Sequence, residues 1–168
     1  MKKRAISILA IAALLVASVS IPCIAAEDAT LPASVTVSEY ISITITDNGT
    51  AGINFGTLDP GTYDNPEIES NSVNASLRIT VDAESNINVD LQISGTDFGG
   101  TFTVDNAKYS TTIDGTKEAM STVDTTIVGA DDMAPGEYVN IWHWLDVPAS
   151  LPAGTYGSTF SYKAIKHV

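Results

Sequence analysis

The residues of this chain whose types could do chemistry are few, and their spacing argues against catalysis. The chain carries two histidines. His143 lies in an apolar run between Trp142 and Trp144, and His167 is the penultimate residue. A serine–histidine–carboxylate triad needs a histidine held by a carboxylate beside a serine. Asp146 follows His143 by three positions, which on a strand places it on the opposite face. No G-x-S-x-G elbow is present. A zinc site would need both histidines and further ligands at a spacing the sequence lacks. The acidic loops are the remaining metal candidates. Asp131 and Asp132 precede Pro135, and Asp59, Asp64, Glu67 and Glu69 share one long loop. Calcium takes several oxygen ligands from such loops, but the D-x-[DN]-x-[DN]-G spacing is missing, so a solvated loop is the simpler expectation. The sequence therefore predicts no catalytic residue and no required cofactor, with calcium as the weakly supported exception.

Contact chemistry is better represented. In the run Tyr-Val-Asn-Ile-Trp-His-Trp-Leu-Asp-Val-Pro, Val139, Ile141, His143, Leu145 and Val147 fall on one face of a strand. Tyr138, Asn140, Trp142 and Trp144 fall on the other. If the aliphatic row faces the core, the two tryptophans and Tyr138 form an outward surface for a sugar or another subunit. The opposing expectation is that another segment covers them, since tryptophan is usually well buried. Asn48-Gly49-Thr50 and Asn74-Ala75-Ser76 are acceptor sequons for N-glycosylation, at Asn48 and Asn74.

The elements that must position these residues follow an export signal. Lys2, Lys3 and Arg4 precede a stretch from Ala5 to Ile21 without a charge, then Pro22 and the small residues Cys23, Ala25 and Ala26. That is the pattern of a cleavable signal peptide over residues 1–26, with cleavage after Ala25 or Ala26; an uncleaved anchor is the rival reading. Proline directly before Cys23 argues against a lipobox. Cleavage leaves one domain, residues 27–168, without cysteine and hence without disulfides. It would be secreted or held at the cell surface, with no membrane segment after cleavage. Loss of the three basic residues of the signal leaves five basic against 20 acidic residues, a net charge of −15. Such a surface repels nucleic acid.

Period-two alternation then dominates. In residues 34–46 the row Val35, Val37, Glu39, Ile41, Ile43, Ile45 alternates with Thr36, Ser38, Tyr40, Ser42, Thr44, Thr46. The same pattern recurs at Leu77, Ile79 and Val81, and at Ile87, Val89, Leu91 and Ile93, joined by the short polar link 83–86, which predicts a hairpin or tight turn between sheet neighbours. Shorter strands are expected at 53–56, 101–104, 109–112 and 125–128, and longer ones at 138–147 and 155–165. Turn sequences such as Asp59-Pro60-Gly61 and Ala134-Pro135-Gly136 separate them. No segment after residue 26 has a helical apolar stripe. The expectation is an all-β antiparallel sandwich of immunoglobulin-like or jelly-roll topology.

Two segments carry a resemblance. Ile-Asn-Phe-Gly-Thr-Leu-Asp-Pro-Gly-Thr at 53–62 is similar to the F-G-x-L-x-P-G strand and turn of secreted fibre subunits: the camelysin and biofilm-fibre family, spore coat U-type pilins and archaeal bundling pili. Residues 141–165 resemble the closing hairpin of archaeal and bacterial surface β-sandwiches, with a W-x-x-V-P strand end, P-A-G-T-Y and a final amphipathic strand. The resemblance implies a structural or assembly role without catalysis. No metalloprotease motif accompanies it, so protease activity is not implied.

Position and pattern together suggest how assembly would work. Residues 34–46 begin within ten residues of the expected cleavage site, behind a short leader. In a neighbouring subunit they could fill an open groove and sheet edge, with Val35, Val37, Ile41, Ile43 and Ile45 as anchors. A head-to-tail contact of that kind does not close and propagates a filament. The alternative is an ordinary first strand of the chain's own domain.

Overall fold

The computed structural model describes residues 32–47, 52–70 and 73–168. The expected signal segment, its expected cleavage site and Asn48 lie outside the described residues. The chain divides into two compact units, Met1–Thr36 and Val37–Val168. The described residues of the first, 32–36, are exposed and have no regular structure.

The second unit is all-β, with two antiparallel sheets. The larger holds β1 (Ile43–Asp47), β2 (Asn65–Pro66), β3 (Leu77–Val81), β5 (Ala107–Ser110), β6 (Glu118–Ala119) and β8 (Tyr138–Leu145). Its order is β1-β3-β8-β5-β6, with β2 also pairing β8. The smaller holds β4 (Val89–Gly95), β7 (Thr125–Thr126) and β9 (Phe160–Lys166), in the order β7-β4-β9. β8 organises the larger sheet. Its first half pairs β3, with Leu77 opposite Ile141, and its second half pairs β5, with Tyr109 opposite His143.

The inward rows explain the pairing of the two sheets. Leu77, Ile79 and Val81 of β3, Val89, Leu91 and Ile93 of β4, and Val139, Ile141 and Leu145 of β8 are buried in one cluster. Burial of each such side chain contributes about 1.5–3 kcal/mol. Packing is tight at Gly95, at the end of β4. A methyl group there would lie 2.8 Å from Val104 and 3.1 Å from the Phe160 ring. Tyr162 and Ala164 of β9 and Phe160 itself are half-buried against the same core.

Four expectations need correction. Residues 83–86 do not form a hairpin between sheet neighbours. β3 and β4 belong to different sheets, so residues 82–88 cross between them. Alternation reports which side chains face the core, and it is satisfied equally by strands on opposite sides of that core. Residues 34–42 are not strand; β1 begins at Ile43. Ahead of it, side chains interrupt the ladder: the Asp82 and Asn86 N–H groups still donate to the Ser42 and Tyr40 carbonyls (2.9 and 3.1 Å), but Tyr40 N–H donates to Asn86 Oδ1 (2.8 Å), Asn86 Nδ2 donates to the Ser38 carbonyl (2.9 Å), and Ser42 Oγ donates to Asp82 (2.6 Å). Residues 53–56 are likewise irregular, although Ile53 and Phe55 still pack on the core. Residues 101–104 lead into a single 3-10 turn, Val104–Asn106.

Candidate contact surface

The outer face of the larger sheet is built by register. Thr46, Arg78 and Asn140 stand side by side across β1, β3 and β8, and Thr44, Thr80 and Tyr138 form the next row. Arg78 Nε donates to Asn140 Oδ1 at 3.0 Å, and its guanidinium carbon lies 4.2 Å from the centre of the Tyr138 ring. Tyr138 is 56% exposed. Beside these rows, Val73, Asn74 and Ala75 wall a shallow groove of about 310 Å³.

Two positions further along β8 the same face is closed. Trp142 and Trp144 point away from the main core, as their alternation requires, yet they are only 8% and 6% exposed. They therefore do not form the outward pair expected from the sequence. Ala75 and Ile113 pack on them, and the Lys117 ammonium sits 4.7 Å above the Trp144 ring. The cover comes from the chain entering β3 and from the turn at 111–117 between β5 and β6. Of the three expected contact residues, Tyr138 alone is exposed.

An ion network fixes the far end of this cover. Lys108 Nζ lies 2.7 Å from Asp146 and 3.0 Å from Asp64, and Lys117 lies 3.3 Å from Asp64. Asp146, followed by Asp64, pushes the Lys108 ammonium pKa up. Lys108 holds the Asp64 carboxyl below its ordinary value. Asp146 thus serves a lysine rather than His143.

His143 is sealed in the core, with none of its surface exposed. Its Nε2 lies 3.1 Å from the Tyr162 hydroxyl, and its ring stacks on Phe160 at 5.5 Å. Burial lowers its pKa to about 3, so it is neutral at physiological pH. His143 Nδ1 and Glu67 Oε2 are the buried side-chain polar atoms without a hydrogen-bond partner among the described residues. Glu67 is thus buried, not part of a solvated acidic loop. His167 lies at the surface, 2.6 Å from Asp90, which raises its pKa. Asp132 accepts from Asn88 Nδ2 at 2.8 Å. Among the described residues no group of three or more histidine, cysteine, aspartate or glutamate side chains could hold a metal ion.

The expected anchor row is split. Val35 and Val37 are 87% and 76% exposed, whereas Ile41 and Ile43 pack against the core. Ile45 lies in β1 opposite Ile79 and stays largely exposed. Asn74 is exposed, but the sequon's Ser76 is buried and its Oγ accepts from the His143 N–H at 3.1 Å. Arg78, Asn140 and Lys117 were not singled out from the sequence as contact residues. The polar positions of β3 and β8 carried the first two, and nothing local marked the third.

The fold and this face define an all-β protein of two antiparallel sheets around one core. No protein-family model, no curated protein and no solved structure matches the chain.

Proposed function

We propose that the chain is a secreted, non-enzymatic structural subunit of an extracellular filament or matrix, of the pilus-like or biofilm-fibre kind, assembled by β-strand donation between copies. The observation that carries this reading is the exposure of Val35 and Val37. They alternate with Thr36 and Ser38, in the pattern of a strand, and the chain's own fold leaves both in water. An incoming strand of that pattern would gain main-chain hydrogen bonds at a sheet edge and bury alternate side chains. Because Ile41, Ile43 and Ile45 already serve the chain's own domain, the donated portion is the stretch before Ile41. The basic, apolar and small-residue order of residues 1–26 supports export, and a cysteine-free mature chain needs no oxidation to assemble.

The sealed His143 supports a non-catalytic role, because no substrate reaches its ring. The glycan-binding alternative through Trp142 and Trp144 loses its support with their burial. Electron microscopy of the full mature protein and of a form lacking residues 27–38 tests the proposal. Filaments from the first and a folded monomer from the second are expected. Equal polymerisation of both would exclude donation by this segment.

A further inference from the structure

Arg78 differs from every other cation of the folded unit. Lys108, Lys117, Lys163 and Lys166 each pair with a carboxylate. Arg78 has no carboxylate partner among the described residues, in a chain with 20 acidic residues to choose from. Its contacts are the Nε bond to Asn140 and the face of Tyr138. Both orient the guanidinium and neither neutralises it, and among the described residues nothing else bonds its terminal N–H groups, which form a planar fork. That fork matches a carboxylate in two parallel hydrogen bonds.

The surroundings narrow the ligand. Arg78 lines a groove with the hydroxyl-bearing Thr46 and Thr80 and the Asn140 amide, and Tyr138 adjoins it in register. Hydroxyls, an amide and an exposed aromatic ring suit a sugar's hydroxyl groups and its apolar C–H face. An acidic peptide would find one cation, Arg78, among the groove's lining residues for its several carboxylates. The net charge of −15 expected for residues 27–168 disfavours long polyanions.

We infer that the Arg78–Tyr138–Asn140 face is a binding site for a glycan carrying an isolated carboxylate, with Arg78 clamping a uronic acid and Thr46, Thr80 and Asn140 meeting neighbouring hydroxyls. This inference stands apart from the filament proposal and does not require assembly.

The test is calorimetry and amide-shift mapping on the unglycosylated protein with glucuronosyl-xylobiose, its methyl ester, and a Glu-Asp-Glu tripeptide. The acid sugar should shift the amides of residues 46, 78, 80, 138 and 140 and bind at least tenfold more tightly than the ester. Arg78→Ala should lower its affinity at least tenfold. Arg78→Lys should restore part of it, since charge returns without the fork. Both variants should melt like the parent, because Arg78 is exposed. Equal binding of the ester, unchanged binding by Arg78→Ala, or no shift on this face would overturn the site. Equal affinity for the tripeptide would overturn the sugar assignment in favour of a protein partner.

Discussion

The two halves of the outer face of β8 follow one alternation and meet opposite fates. Tyr138 is exposed and Asn140 lines an open groove, while Trp142 and Trp144 are enclosed. All four side chains leave the sheet on the same side. The difference lies in what crosses above them: Ala75 and the 111–117 turn cover the tryptophans, and among the described residues nothing comparable covers the Arg78 row. A strand's periodicity determines a side chain's face. Its exposure depends on distant loops.

The largest expected effect lies in the closed half. Trp144→Ala should cost about 3–5 kcal/mol, since it removes a large buried ring and leaves a cavity. Thermal melting would show a large fall in Tm; an unchanged Tm would mean that the cover is loose in solution.

The next effect probes the main core beneath the same strand. The His143 pKa is depressed to about 3 from 6.5. A neutral buried base contributes fully above pH 6.5 and loses its contribution as pH falls towards 3. At pH 4.5 the loss should be about 2–3 kcal/mol relative to pH 7. Urea unfolding at the two pH values measures it, and His143→Leu should flatten the difference. Exposed His167, whose pKa is raised by Asp90, acts in the opposite sense and favours the fold at lower pH.

Smaller changes sharpen the comparison. A methyl group at Gly115 would approach Thr112 Oγ1 to 2.3 Å and Ser110 Oγ to 2.7 Å. Gly115→Ala should therefore displace the cover and cost about 1–3 kcal/mol, with tryptophan fluorescence shifting to the red. Lys117→Ala removes the cation over Trp144 and a half-exposed ion pair with Asp64, and should cost about 0.5–1 kcal/mol. Arg78→Ala, in the open half, should change stability by less than about 0.5 kcal/mol. A larger loss there would show that Arg78 is a structural clasp for Tyr138.

Much of this was legible beforehand. The strand Leu77–Val81 has the bounds its alternation suggested, and the inward residues of β4 and β8 are those of the predicted apolar rows. The all-β class followed from the same rows and the absence of helical stripes. The partition of strands between sheets was not legible, because β3 and β4 carry identical signals on opposite sides of one core. Residues 34–42 show a different limit. Their alternation is regular, but Asn86, Ser85 and Asp82 offer side-chain partners that take backbone groups a continuous ladder would use. The lid over the tryptophans was hidden for a third reason: Lys117 and Ile113 lie some 30 residues away in a turn with no periodicity of its own.

The strand-donation account is tested most directly by Val35→Asp combined with Val37→Asp, followed by sedimentation velocity of the mature protein. Both side chains are exposed, so the account predicts an unchanged melting temperature and a single monomeric boundary where the parent forms large assemblies. Assemblies of parental size in the double variant would contradict it.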